Sequence, residues 1–347
     1  MTPARVSEQP LVALTGGSGF LGSHIADFLL ERGYRVRVSV RPTSDLRWLQ
    51  GKPLEIQNVT LVAPQNESAD VTSAALTGHR SVTEFVAGAN AVIHSAGVTK
   101  ARDEAGYNRS NVATTSHLLN AARAEGHCRT FILISSLAAA GPASLSQPRL
   151  ESDPCEPLTA YGRSKLAAEE LLNSGDDDLR TVILRPPALY GPRDKAFLPL
   201  FRLAQKGWTV RLGHRMEGLS LVDGRDAARA VIALLETESA TGAFFVDDGF
   251  AYDWSHVASA LSQACHRRIK TIIVPTLVLR ATAWLVGPRR AERSTLLNRD
   301  RLADISVPGW VCSGEKLRRE TGFTPQWELA RGFAETLADY LKKGWLA

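Results

Sequence analysis

The sequence predicts an α/β fold with a doubly wound parallel sheet, and two observations carry that prediction. The first is the alternation of short apolar runs with helix-like runs, which is typical of a parallel sheet with helices on both faces. The strand-like runs are Leu11–Leu14, Arg35–Val40, Val59–Val62, Ala91–Ser95, Thr130–Ser135 and Thr181–Leu184. The second is a glycine-rich turn directly after the first run, which makes the predicted sheet Rossmann-like.

The glycine turn runs from Thr15 to Gly22 and spells T-G-G-S-G-F-L-G. It is followed by 24–32, where the apolar residues have helical spacing. Glycines let the backbone turn tightly and approach a pyrophosphate, which then lies at the N-terminus of the helix. We therefore predict a dinucleotide site that contains Gly16, Gly19, Phe20, Leu21 and Gly22.

The end of the second predicted strand indicates which dinucleotide binds. A site for NAD usually carries Asp or Glu about 20 residues after the turn, where the carboxylate binds the ribose 2′-hydroxyl. Here Val40 and Arg41 occupy that place, and no carboxylate follows before Asp45. A guanidinium can form paired charge-assisted hydrogen bonds with a 2′-phosphate. The sequence favours NADP and leaves NAD open, because an arginine that is merely solvated at a strand end gives the same pattern.

A serine, a tyrosine and a lysine are candidate groups for proton transfer. The apolar run 131–134 ends in a serine pair whose second member is Ser136, and Tyr161 and Lys165 follow in the segment Y-G-R-S-K. The i,i+4 spacing puts the phenol and the ammonium on one face of a helix. A phenol has a pKa near ~10, and a neighbouring ammonium lowers that pKa. We predict Tyr161 as acid/base, Lys165 as its partner and as a ligand of the nicotinamide ribose, and Ser136 as a hydrogen-bond donor to the substrate oxygen.

These motifs resemble the extended short-chain dehydrogenase/reductase family, also described as NAD-dependent epimerase/dehydratase. The resemblance covers nearly the whole chain and includes further segments at His94-Ser95-Ala96-Gly97, Asn111-Val112, Arg185-Pro186-Pro187 and Val222-Asp223. It implies that Ser136, Tyr161 and Lys165 form the catalytic triad. It also implies cofactor contacts by Tyr161, Lys165, Ala96, Gly97 and Pro186, with Asp70 near the adenine.

The residues after the strand serine separate branches of the family. Nucleotide-sugar dehydratases carry an acidic pair there, as in S-[ST]-D-E-V-Y-G, whereas residues 136–141 of this chain are S-L-A-A-A-G. No acid is available at that place to drive water elimination, which argues against dehydratase chemistry. This run and the closing Lys343-Gly344-Trp345-Leu346 resemble the 3β-hydroxysteroid dehydrogenase and dihydroflavonol reductase-like branch.

Three functions follow from these features. The leading one is an NADP-dependent oxidoreductase that interconverts a ketone or aldehyde and an alcohol. We expect a hydrophobic small-molecule substrate, because the C-terminal part is rich in large apolar residues and offers no polar array for a sugar diphosphate. The alternative is a nucleotide-sugar 4-epimerase that retains NAD. A non-catalytic, cofactor-sensing protein is the third, and the intact Ser136, Tyr161 and Lys165 argue against it.

Length and composition set the frame for these functions. The 347 residues, 44% of them hydrophobic, suffice for two domains. We predict a Rossmann domain over 8–185 that carries the triad, and a smaller C-terminal, mainly substrate-binding domain over 186–347 that is partly interleaved with it. Four cysteines without C-x-x-C spacing indicate no metal site and no disulfide framework, which fits a cytoplasmic enzyme. The net charge of +5 is mild, and no aromatic residues interleave with the basic clusters, so no nucleic-acid partner is expected. A homodimer is left open.

The longest apolar stretch lies between Thr271 and Gly287 and is interrupted by Pro275 and Arg280. It is shorter than the ~20 residues that a membrane-spanning helix needs. We expect a buried strand and helix there and no integral membrane span. A membrane-associated face and a hydrophobic lid over a substrate pocket are the two alternatives. The polar segment 1–10 has no apolar signal core, so no targeting segment is expected.

Overall fold

The computed structural model describes residues 9–61, 79–174, 178–213, 215–285 and 299–346. Its strands are β1 (Leu11–Thr15), β2 (Arg35–Val40), β3 (Leu54–Val59), β4 (His79–Arg80), β5 (Ala91–His94), β6 (Thr130–Ile134), β7 (Arg180–Arg185), β8 (Ala188–Tyr190), β9 (Trp208–Leu212), β10 (Gly218–Leu219), β11 (Leu221–Asp223), β12 (Gly242–Phe245), β13 (Lys270–Val274) and β14 (Gly309–Trp310). Its α-helices are α1 (Phe20–Glu31), α2 (Val82–Val86), α3 (Glu104–Tyr107), α4 (Thr114–Glu125), α5 (Leu137–Ala140), α6 (Ala160–Glu170), α7 (Leu198–Gln205), α8 (Gly224–Glu236), α9 (Trp254–Ala264), α10 (Thr276–Leu285), α11 (Arg299–Asp304), α12 (Glu315–Thr321) and α13 (Leu329–Lys342).

The chain divides into two compact units. The first comprises Met1–Ile134 with Ala168–Ile183, and the second comprises Ser135–Ala167 with Leu184–Ala347. The last of the three boundaries lies between Ile183 and Leu184, two residues before the division predicted between 185 and 186. The segment that holds Ser136, Tyr161 and Lys165 groups with the second unit.

The first unit is built on a parallel sheet. Its strands lie in the order β7-β6-β5-β1-β2-β3-β4, and the pairings of β1 with β2 and β5, of β2 with β3, of β3 with β4 and of β5 with β6 are all parallel. Without the short β4 this is the strand order of a doubly wound dinucleotide-binding sheet. Strands β1, β5 and β6 are buried along their whole length, which explains why they appear in the sequence as continuous apolar runs. The predicted fold class is confirmed.

The third strand lies at a different place from the one predicted. The sequence predicts a strand at 59–62, whereas the structure has it at Leu54–Val59. The other five predicted strands agree with the structure to within one residue at each end. Glu55 gives β3 a polar pattern, but its carboxylate pairs with Arg35 at 2.6 Å and with Arg37 at 2.9 Å on the neighbouring strand. Ion pairs across adjacent strands therefore replace the apolar signal on which the prediction depended.

The core of the second unit contains a cluster of aromatic rings. Phe333 on α13 meets Tyr190 edge-on at 4.9 Å and Phe201 at 5.2 Å between ring centroids, and all three side chains are fully buried. Tyr340 lies later in the same helix, and its ring packs against Trp345 with 5.8 Å between ring centroids. The closing K-G-W-L motif thus packs its tryptophan onto the same core.

The motif Val222-Asp223 has a structural role in this unit. Asp223 is fully buried, and its two carboxylate oxygens accept hydrogen bonds from Arg225 Nε at 2.9 Å and Nη2 at 2.7 Å. The same guanidinium lies 4.1 Å over the Trp327 ring. Because Asp223 also accepts from the backbone N–H of Arg225, it begins α8 as its N-cap.

Asp248 is a buried carboxyl whose titration bears on stability. Burial raises its pKa to about 7, although Tyr252 donates a hydrogen bond to Asp248 Oδ2 at 2.5 Å and opposes that shift. An unfolded aspartate titrates near ~3.9, so the folded protein holds this proton more tightly. The contribution of Asp248 to stability is therefore full below pH ~4 and is lost as the pH rises through about 7.

We expect the free energy of unfolding of the wild type, relative to Asp248→Asn, to fall between pH 5 and pH 8. Urea unfolding at both pH values measures this difference. Glu55→Gln is the control, because, despite partial burial, hydrogen bonds from Arg35 and Arg37 hold the pKa of Glu55 below its ordinary value and so below the tested range. A difference for Asp248→Asn that stays constant across the range would show that Asp248 does not titrate there.

In the described part of the apolar segment, residues 271–279 and 281–282, most side chains are exposed or half-buried, so the prediction of a buried strand and helix is wrong for this part. Strand β13 pairs with β9 in a separate two-stranded sheet, and its first four residues are exposed. Leu277 and Val278 at the start of α10 are exposed as well, whereas Leu279 is buried. Within the part of the chain that the structure describes, none of the helices combines the length and apolarity needed to cross a bilayer.

Candidate active site

The glycine turn leaves no room for side chains at two of its positions. Gly16 has φ +73°, and a Cβ there would lie 2.7 Å from the backbone nitrogen of Ala96. A Cβ on Gly22 would lie 2.2 Å from the carbonyl oxygen of Gly16. The turn therefore requires glycine at Gly16 both for its backbone conformation and for its close approach to the end of β5.

The start of α1 is shaped to receive an anion. Its N-cap is Gly19, which supplies no side-chain hydrogen bond to the helix and whose own N–H donates to the Gly16 carbonyl at 2.9 Å. Phe20 and Leu21 form the first turn of this helix. A bare helix N-terminus directly after a tight glycine turn is the arrangement that binds a dinucleotide pyrophosphate, so these residues fit the predicted cofactor.

A hydroxyl and an imidazole connect the ends of β1 and β5. Thr15 Oγ1 lies 2.7 Å from His94 Nδ1, and the Ala96 N–H donates to the same oxygen at 3.1 Å. These bonds hold Ala96 and Gly97, both predicted cofactor contacts, directly after β5 and close to Gly16. The structure thus brings these two residues together with the glycine turn.

Asn111, which the sequence indicates only as part of a family motif, positions the same loop. Its side-chain oxygen accepts from the Val98 N–H at 2.9 Å and its amide donates to the Val98 carbonyl at 3.2 Å. Asn111 is buried in a π-helical stretch, Asn108–Ala113, between α3 and α4. Single π-helical turns often occur at functional sites. An asparagine within a helix-like run is the sequence signal that could have indicated this role.

Arg41 lies at the edge of the sheet where the glycine turn begins. Ser39 pairs with Thr15 in register, so Arg41 follows β2 just beyond the same edge. The side chain is exposed, and the backbone N–H is fixed by Ser44 Oγ at 3.0 Å. The predicted adenine contact Asp70 lies outside the described residues.

Ser136 begins a short helix in the second unit. It is the N-cap of α5, and its Oγ accepts a hydrogen bond from the Ala138 N–H at 3.2 Å. The next residue, Leu137, donates its N–H to the Pro186 carbonyl at 2.9 Å. The predicted substrate-binding serine and the predicted nicotinamide contact Pro186 are therefore adjacent.

The helix that carries Tyr161 and Lys165 packs directly against the Ser136 helix. Gly162 makes this possible, since a Cβ there would lie 2.3 Å from the Ala138 carbonyl oxygen and 3.1 Å from Pro157 Cβ. Lys165 is buried, and Tyr161 is half-buried in the first turn of α6. The second unit thus unites the three predicted catalytic residues and Pro186, and the first unit holds the glycine turn, Arg41, Ala96 and Gly97.

The arginine of the R-P-P segment packs inside the second unit. Arg185, which opens the R-P-P segment, is buried, donates to Cys155 Sγ at 3.2 Å and lies 5.6 Å over the Phe245 ring. It therefore has a packing role.

Among the described residues, no group of His, Cys, Asp and Glu side chains is arranged to hold a metal ion.

Comparisons with known proteins show the family of this chain. A model of the NAD-dependent epimerase/dehydratase family matches residues 12–246. The chain is 29% identical to a ceramide reductase of Caulobacter vibrioides, over 97% of this chain and 96% of that protein. It is 26% identical to a 3-beta-hydroxysteroid dehydrogenase of Mycolicibacterium neoaurum, over 95% of this chain and 91% of that protein.

Among solved structures, a UDP-glucuronic acid 4-epimerase from Bacillus cereus, in complex with UDP-glucuronic acid and NAD, has the same fold. The TM-score is 0.72, at 19% identity over 96% of this chain and 99% of that one. Together with the reductase and dehydrogenase relatives, these matches identify an oxidoreductase-type enzyme. The chain belongs to the NAD-dependent epimerase/dehydratase family, as an NAD(P)-dependent enzyme of the extended short-chain dehydrogenase/reductase type.

Proposed function

We propose that this protein is an NADP-dependent oxidoreductase that interconverts a hydrophobic ketone and the corresponding secondary alcohol. The observation that carries the proposal is the close packing of α6 on α5 at Gly162 and Ala138. This contact supports the joint action of Tyr161 and Lys165 with Ser136. The run after Ser136 has no acidic residue up to Gly141, so the same packing offers no group for a dehydratase.

In the direction of reduction, the proposed reaction is ketone + NADPH + H⁺ → alcohol + NADP⁺. The bound dinucleotide supplies the hydride that the carbonyl carbon receives. Tyr161 donates its phenolic proton to the carbonyl oxygen, and the ammonium of Lys165 stabilises the phenolate that remains. Ser136 Oγ accepts from Ala138 through a lone pair, so its hydroxyl proton can be donated to the substrate oxygen.

The proposed preference for NADP is carried by Arg41. Its guanidinium is exposed at the edge of the sheet beyond β2, and the residue before it is Val40, where an NAD site carries a carboxylate. A guanidinium gains two charge-assisted bonds to a phosphate and little from a hydroxyl.

Arg41→Ala is expected to weaken NADP binding by about 1.5–3 kcal/mol, the range for a hydrogen bond to a charged group, and to leave NAD binding almost unchanged. Isothermal titration of both cofactors measures this. Arg35→Ala is the matched control, because Arg35 is an exposed arginine at the opposite end of the same strand and pairs with Glu55. Equal losses for both cofactors, or a wild-type preference for NAD, would show that Arg41 does not recognise the 2′-phosphate.

The proposed substrate class is an apolar carbonyl compound of steroid-like, aromatic or acyl type. Two relatives that match over nearly their full length are named as a ceramide reductase and a 3-beta-hydroxysteroid dehydrogenase. Both names denote lipids, and a lipid ketone suits a site that binds through apolar contact and few polar groups. We include long-chain acyl ketones for this reason.

A nucleotide-sugar 4-epimerase is the second candidate. It is favoured by the fold shared with sugar-nucleotide epimerases, although that likeness is at 19% identity and concerns the fold alone. An epimerase oxidises and reduces the same carbon and keeps its dinucleotide bound, whereas a reductase exchanges it in each turnover. Analysis of the dinucleotide released from the denatured, purified protein separates the two.

A panel of carbonyl compounds tests the proposal. A 3-ketosteroid, an aryl ketone, a long-chain 3-oxoacyl amide and UDP-glucose are each incubated with NADPH and, in parallel, with NADH, and the loss of absorbance is followed. We expect turnover of at least one apolar ketone with NADPH and slower turnover with NADH. Interconversion of the UDP-sugar without net NADPH consumption would replace the reductase by the epimerase.

A further inference from the structure

Four exposed apolar residues lie around the end of β13, and we call them the apolar patch: Ile272, Ile273, Leu277 and Val278. Leu277 is 77% exposed and Val278 is 51% exposed, so neither side chain belongs to the core. Ile272 and Ile273 are successive residues of one strand, so their side chains point to opposite faces, and both are exposed. Neither face of the strand is therefore fully covered at this point.

The chain geometry holds the two halves of the apolar patch together. Only three residues separate Ile273 from Leu277, and the Val278 N–H donates to the Pro275 carbonyl at 3.0 Å, which turns the strand directly into α10. Strand β13 is paired in parallel with β9, and this register places the exposed Trp208 opposite Lys270. The lysine ammonium lies 5.6 Å from the tryptophan ring.

The residues that precede the apolar patch in the chain are basic. Arg267, Arg268 and Lys270 are exposed immediately before it. Between Asp253 and Glu292 the sequence contains no acidic residue. An apolar surface with an interfacial tryptophan and a rim of cations has the composition of a segment that binds at a membrane surface.

We infer that the apolar patch docks this protein on the surface of a bilayer that contains anionic phospholipids. The apolar side chains would enter the interface, and the arginines and lysine would face the lipid phosphates. A second copy of the chain is a poorer occupant, because a twofold contact places the same basic rim against itself. This inference concerns a binding surface and is independent of the proposed reaction.

Co-sedimentation with vesicles tests the inference on the full chain without cofactor or substrate. Vesicles of phosphatidylcholine with about one third phosphatidylglycerol are compared with pure phosphatidylcholine, at low and at high NaCl. We expect binding to the anionic vesicles at low salt, and its loss at high salt, because screening shortens the reach of the basic rim. Leu277→Ser/Val278→Ser should lower the partition coefficient roughly 10- to 100-fold, since two apolar side chains no longer enter the interface.

A matched pair of isoleucines provides the control. Ile272 in β13 is 45% exposed, and Ile56 in β3 is 41% exposed. Ile272→Ser should lower the partition coefficient by up to roughly tenfold, and Ile56→Ser should leave it unchanged. Circular dichroism and thermal unfolding confirm that each variant is folded.

Two results would overturn the inference. One is a wild type that does not bind anionic vesicles at low salt, or equal binding by all variants. The other is a dimer, seen by light scattering, that Leu277→Ser/Val278→Ser abolishes in the absence of vesicle binding, which would make the apolar patch a self-association surface. Because vesicle binding is measured without turnover, either result leaves the proposed reaction untouched, and a failed reductase assay leaves the docking test valid.

Discussion

Tyr161→Phe is expected to lower kcat roughly 10²–10⁴-fold, the span of general acid/base catalysis, while NADP still binds. The substitution keeps the aromatic ring at the start of α6 and removes only the hydroxyl that would exchange a proton with the substrate oxygen. Turnover is measured as loss of NADPH absorbance at saturating cofactor, and NADP affinity is measured separately by titration.

Tyr340→Phe is the matched control for this substitution. It also removes one tyrosine hydroxyl, but that hydroxyl lies 3.4 Å from Asp194 Oδ2 in the aromatic core of the second unit. Its kcat should stay close to that of the wild type. Near-normal turnover by purified, folded Tyr161→Phe would remove Tyr161 from the mechanism.

Gly162→Ala is expected to lower kcat by about 10²-fold, with no change in any group that takes part in the chemistry. A new Cβ would lie 2.3 Å from the Ala138 carbonyl oxygen, so α6 must move away from the helix that begins at Ser136. A displacement of about 1 Å between reacting groups is enough for a loss of this size. Helix propensity alone predicts a more stable α6 in this variant, since alanine favours a helix over glycine by about 1 kcal/mol.

The adjacent Arg163→Ala serves as the control for Gly162→Ala. Arg163 is exposed on the same helix and donates to the Leu158 carbonyl at 3.3 Å. We expect near-wild-type kcat from this variant. A Gly162→Ala protein with a higher melting temperature and unchanged kcat would show that the contact with Ala138 does not position the tyrosine.

The buried strands and the glycine turn could be predicted from sequence because each has a local cause. A strand covered on both faces must be apolar throughout, and a turn with a left-handed residue such as Gly16 favours glycine. The position of β3 was predicted wrongly because the charge of Glu55 is neutralised by Arg35 and Arg37, which lie about twenty residues away in the chain. No local pattern records such a partner.

The remaining differences also arise from contacts between distant segments. The need for glycine at Gly162 comes from Ala138, and the role of Asn111 comes from Val98. An apolar run gives the same sequence pattern whether it is buried or exposed, so Leu277 could not be assigned to a surface from composition. The triad was identified from its spacing and family resemblance, and its roles stay a prediction until the variants are measured.

Transfer of deuterium from labelled NADPH tests the central claim most directly. NADPH is labelled with deuterium at nicotinamide C4, in place of the hydrogen that is transferred. It is incubated with an apolar ketone that the enzyme accepts, and the product alcohol is analysed by mass spectrometry. The account predicts one deuterium in each alcohol molecule and one NADP⁺ released for each alcohol formed. Interconversion of UDP-sugars with no deuterium lost from the added NADPH, and with NAD retained on the protein, would contradict it.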